Sequence, residues 1–202
     1  MAGTASSPGG PRNVSGWCRV ALHIVFAGLC FWYLMMLVHE SGHVLAAWCT
    51  GGRVSQVVWH PLAFSRTDLS QNPNRLIVVW GGPAFGVALP AAFWLVARVA
   101  VAKASVHLRA FAGFCLLANG AYLATAIIIP VGDTQELLKL GAPAWLVSGV
   151  GLLAFGAGLV CWHGQGRKFW LHGDKVTMRH VALSCGALLV VVAAMLVWSS
   201  IV

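Results

Sequence analysis

The sequence is short of charge, and of acid above all. Only 9% of its 202 residues are charged, and five are acidic: Glu40, Asp68, Asp133, Glu136 and Asp174. A soluble domain carries about 25% charged residues. Hydrophobic residues make up 59% of the chain and fall in long unbroken runs, so the composition excludes an ordinary soluble protein and points to a polytopic membrane protein. The runs do not alternate in short segments of about ten residues, which excludes a membrane β-barrel and leaves an all-α bundle. Cysteine pairs are also missing. The six cysteines (Cys18, Cys30, Cys49, Cys115, Cys161, Cys185) form no CxxC and lie mostly in apolar runs. They read as small apolar residues, not as a disulfide framework or thiolate site. No internal repeat is present. The formal net charge of +8 sits on residues scattered over loops and helix ends, with no basic–aromatic array. It speaks for topology control and contact with anionic lipid, not for nucleic acid.

Five membrane segments are expected, at about 17–49, 76–102, 108–130, 142–162 and 178–202. A bilayer core needs about 20 helical residues, so the first must tilt, bend or project beyond the membrane. Residues 1–16 are polar and rich in Gly, Pro and Ser, and read as a disordered tail. The following run is too long for a cleaved signal and reads as a retained helix. Trp17, Trp80 and Trp198 stand near run ends, where interfacial anchors are expected. Between the first two segments, Gly51-Gly52 breaks the helix and Val54, Val57 and Val58 predict a short strand or hairpin against the membrane. Residues 131–143 read as a break followed by a short amphipathic helical turn, and 163–177 as a basic connector with interfacial aromatics.

Polar residues stand out against this background. His39, Glu40 and His43 fall inside "LMMLVHESGHVLAAW", and ionisable residues in an apolar segment need a partner or a task. They form HExxH. Two histidines at i and i+4 share a helix face one turn apart, a spacing that lets both reach one zinc ion. The glutamate beside the first can hold and deprotonate a water on that ion, and zinc acts as a Lewis acid on a carbonyl. The chemistry implied is amide hydrolysis. Chance would produce this pattern on the order of 0.01 times in a chain of this composition. The bland alternative is a buried polar cluster bonded to a neighbouring helix, or a proton relay.

Catalytic zinc keeps three protein ligands and one open position. With so few acids, Asp133 is the first candidate for the third ligand. It follows the third segment after Pro130 and Gly132 break the helix, and such a break is tolerated at membrane depth where it lines a cavity. An equally local reading makes "DTQE" a capping box, with Asp133 as N-cap and Glu136 at N3. His60, in "WHP", is the other candidate ligand. His23, His107, His163, His172 and His180 are isolated and read as structural or interfacial.

Taken together, these features resemble the site-2 protease family of intramembrane zinc metalloproteases, over about residues 17–140. HESGH lies at 39–43 within the first core helix. Gly81-Gly82-Pro83 opens the second after a short β-like loop, similar to the family's Gly-Pro element. Asp133 stands after the third helix like the aspartate of the family's Leu-Asp-Gly. The resemblance implies a three-helix catalytic core, one Zn2+ per chain held by His39, His43 and Asp133, and Glu40 as general base. The substrate implied is a protein cut in or near a transmembrane segment. The loop at 52–79 could pair with an extended substrate by strand addition. Three departures stand out. Asp133 is flanked as "VGDTQ". Gly86 stands where an asparagine often follows the Gly-Pro element. Asn119, 14 residues before Asp133, is too distant to match the family's nearer asparagine. Segments four and five, at 141–202, are additions to the core.

Basic residues are more numerous on the side of the N-terminus, which favours a cytoplasmic N-terminus. The family's site lies nearer the cytoplasmic face, which opposes it, so orientation stays open. Two other functions compete: a non-proteolytic membrane scaffold, which would have no need of Glu40, and a small transporter or proton relay, which would call for paired repeats that the chain lacks.

Overall fold

A computed structural model describes residues 14–165 and 176–201. Most of the polar tail and most of the basic connector, with Arg12, Arg167, Lys168, His172, Asp174 and Lys175, lie outside the described residues. Helix α1 (Val14–Cys49) leads to strands β1 (Arg53–Val58) and β2 (Arg66–Gln71). Then come α2 (Arg75–Ala100), α3 (Ala102–Ala124), a 3-10 turn (Thr125–Ile127), α4 (Gly132–Lys139), α5 (Ala144–Trp162) and α6 (Met178–Ile201). Five of these helices are long and apolar enough to cross a membrane. The chain is a multi-pass, mostly helical membrane protein, with one small sheet among the described residues.

At 36 residues, α1 is about 54 Å long at about 1.5 Å per residue. It ends where glycine becomes necessary. Gly51 has a φ of +77°, a left-handed conformation that side chains resist, and Gly52 N–H returns to Ala47 O at 2.7 Å. The chain then turns into the predicted hairpin. β1 and β2 pair antiparallel, with Val57 opposite Thr67 and Val58 opposite Arg66.

The Gly-Gly-Pro element is placed differently from expectation. Asn74 caps α2, its side chain accepting from Ile77 N–H at 3.4 Å, so the helix starts two turns earlier. Pro83 lies inside it. Proline brings no N–H to the carbonyl four residues back, and the helix continues because its neighbours hold it. Gly81 explains the close packing there. A Cβ at Gly81 would stand 2.6 Å from both Ala46 Cβ and Gly42 O, and one at Gly42 would stand 2.8 Å from the Gly81 carbonyl carbon. α1 and α2 therefore touch backbone to backbone, as small residues permit in membranes.

Two apolar clusters flank this crossing. One joins Met35 and Met36 of α1, Trp59, Cys115 of α3 and Met195 of α6. The other joins Val79 of α2, Leu123 of α3, Ala126, Leu137 of α4 and Val147 of α5. Leu137 is fully buried and seats α4 against the bundle. Trp80 packs against this second cluster. Cys30, Cys115 and Cys161 are buried, and none of the six cysteines is paired.

The crossing gives a direct test. Gly42→Ala and Gly81→Ala should each cost about 1–3 kcal/mol by forcing the helices apart, lowering the thermal midpoint in detergent. Gly28→Ala in the same helix is the control, since a Cβ there meets nothing within 4 Å. Equal midpoints for all three would contradict the packing account.

Candidate metal centre

The site is built from α1, α2, α3 and the first turn of α4. Helical spacing puts His39 and His43 on one face of α1, with their Nε2 atoms 3.2 Å apart. α4 delivers Asp133, whose Oδ2 lies 2.8 Å from His39 Nε2 and 3.4 Å from His43 Nε2. The alternative reading of Asp133 as the cap of α4 is not met. Val131 is the N-cap, and the Thr134 hydroxyl accepts from Val131 N–H at 2.9 Å. Asp133 sits one residue inside the helix, with its carboxylate turned to the histidines. Glu136 is likewise no cap: it pairs with Arg75 at the start of α2.

The other ring nitrogens decide what the pair can bind. His43 Nδ1 lies 2.8 Å from Val78 O. A carbonyl only accepts, so Nδ1 carries the proton and donates. His39 Nδ1 lies 2.8 Å from Asn119 Oδ1. Asn119 Nδ2 donates to Cys115 O at 3.0 Å, which fixes the amide with its oxygen toward His39, so His39 Nδ1 also donates. Both neutral rings then turn Nε2 lone pairs to the point that Asp133 faces. Two lone pairs and a carboxylate call for a positive charge among them. These three groups could hold a metal ion, their ligand atoms lying within 4.8 Å of one another. Two nitrogens and one carboxylate oxygen suit zinc, and outward hydrogen bonds from both rings are the usual support of metal-bound histidines.

Several supporting residues were not legible as such in the sequence. Gly82 gives the imidazoles room: a Cβ there would stand 2.7 Å from His39 Nε2. Gly86 leaves space for Asn119, whose Oδ1 would be 2.9 Å from a Cβ. The side-chain amide that meets His39 thus comes from α3. Tyr122 clamps the turn that presents Asp133. Its hydroxyl accepts from Asp133 N–H at 2.6 Å and donates to Val131 O at 3.0 Å. Gly132, with a φ of +50°, makes that turn possible and leaves room for the hydroxyl. His60, the other ligand candidate, is not brought to the site. Its Nδ1 accepts from Leu62 N–H at 3.1 Å within its own loop.

Glu40 is 3% exposed and lies beside the metal group. Its Oε2 accepts from Thr67 of β2 at 2.8 Å. The whole arrangement opens on a cavity of about 820 Å³, walled by Trp32, Met35, Met36 and Phe64 as well as the polar residues.

Two histidines and an aspartate that could hold a metal ion, with a glutamate beside them, lie among helices long and apolar enough to cross a membrane. The chain matches the family model described as Peptidase M50B-like over residues 16–131, more than half its length, and belongs to that family, the site-2 protease family. No curated protein and no solved structure matches it. The family match ends just before Asp133, so that residue's part rests on geometry.

Two substitutions that remove no ligand should weaken metal binding. Gly82→Ala should displace the imidazoles, and Tyr122→Phe should loosen Asp133, with about ten- to hundredfold lower affinity as for other outer supports of metal ligands. Competition with a chromogenic chelator in detergent measures both. Wild-type affinity in the two variants would remove these supports from the site.

Proposed function

We propose that the protein is an intramembrane zinc endopeptidase that hydrolyses a peptide bond in or near a transmembrane segment of another membrane protein. The observation that carries this reading is the convergence of His39 Nε2, His43 Nε2 and Asp133 Oδ2 from two separate helices, with Glu40 beside them at the wall of a largely apolar cavity. The family's protease character supports it.

His39, His43 and Asp133 would hold the ion. Bound zinc polarises a carbonyl and makes hydroxide available near neutral pH. Glu40 takes the proton as water adds to the scissile carbonyl carbon, then returns it to the leaving amine nitrogen as the C–N bond breaks. The apolar walls at Trp32, Met35, Met36 and Phe64 suit a hydrophobic chain in extended form and limit competing water. α1, α2 and α3 with α4 form the catalytic core in this reading, and α5 and α6 are additions to it.

Purified full-length protein in detergent should carry zinc and cleave a fluorogenic apolar helix of about 20 residues. Glu40→Gln should keep the zinc and lose at least about a hundredfold in kcat, while His39→Ala and Asp133→Ala should lose the metal. Cleavage undiminished in Glu40→Gln would sink the protease reading, and zinc retained in His39→Ala would sink the ligand assignment.

A further inference from the structure

We propose that Thr67 is the positioning residue for Glu40, and that α6 holds the strand that carries it. This rests on the reading of Glu40 as general base. A glutamate side chain has three rotatable bonds, so proton transfer requires something to fix its carboxylate. The Thr67 hydroxyl donates to Glu40 Oε2 at 2.8 Å, a charge-assisted bond in a buried setting. A bond to one carboxylate oxygen restricts the carboxylate and leaves the other oxygen for proton transfer.

Thr67 sits on β2, and a two-stranded hairpin is not rigid by itself. Its support comes from α1 and α6. On the α1 side, Trp59 Nε1 donates to Tyr33 O at 3.1 Å and the Tyr33 hydroxyl to Pro61 O at 3.3 Å. On the other side, Trp198 Nε1 of α6 donates to Val57 O at 2.8 Å. Val57 is the cross-strand partner of Thr67. One helical turn before Trp198, fully buried Met195 packs into the cluster that contains Trp59. A continuous path therefore runs from α6 through Val57 and Thr67 to Glu40. α6 lies outside the span that matches the family, so this path belongs to the chain's own addition to the core.

The test uses the full-length protein in detergent, loaded with Co(II) as the probe. Thr67→Val keeps the shape and strand preference of the residue and removes the donor. It should retain Co(II) yet change the visible absorption in the same sense as Glu40→Gln, and Thr67→Ser should restore the wild-type spectrum. Turnover of the fluorogenic helix should fall about ten- to hundredfold in kcat for Thr67→Val, with KM within about twofold. Trp198→Phe should increase amide exchange across residues 53–71 and lower kcat in the same direction, less strongly. A Thr67→Val spectrum and kcat equal to wild type would overturn the role of Thr67. Unchanged hairpin exchange in Trp198→Phe would overturn the role of α6. A wild-type protein that takes up no Co(II) would instead overturn the metal reading on which both rest.

Discussion

Two imidazoles can aim their Nε2 lone pairs at one point only if their Nδ1 protons are bonded elsewhere. That constraint organises the molecule. Val78 O takes one proton and Asn119 Oδ1 the other, so α2 and α3 must both lie against the HExxH turn of α1. For α2 to come that close, Gly42 and Gly81 must meet backbone to backbone, and Gly82 must offer no side chain. For Asn119 to reach His39, Gly86 must give way. The glycines of α2 are thus explained by the tautomers of two histidines. The same logic extends to Asp133, whose carboxylate meets both Nε2 atoms in a group that could hold a metal ion.

Much of this was legible in the sequence because it is local or compositional. Five apolar runs define the five spans, and HExxH defines its own helix face. The hairpin was marked by Gly51-Gly52 and the valines after it. Asp133 stood out through the scarcity of acids, although its local context allowed a cap with equal force. The fold decides against the cap, since Val131 is the N-cap of α4, Thr134 bonds back to it, and the Asp133 carboxylate turns to the histidines.

What was not legible depends on distance along the chain. Asn119 meets a histidine 80 residues earlier, and Thr67 meets Glu40 across 27. Neither spacing carries a periodic signal. Gly-Gly-Pro resembled a helix start because proline favours first turns. In α2 it sits mid-helix, where packing against α1 outweighs the lost backbone bond. His60 was a sensible candidate by residue type alone, but its loop gives it a partner two residues away.

The HExxH turn lies only six to ten residues from Cys49, the end of a 36-residue helix. At about 1.5 Å per residue that is about 9–15 Å of helix. The centre is therefore shallow on the hairpin side and deep on the other. The hydrolysis proposed above would consume one water per bond. Two or three helical turns separate the centre from the hairpin end of α1, so on that reading replenishment would be a short passage from the hairpin side.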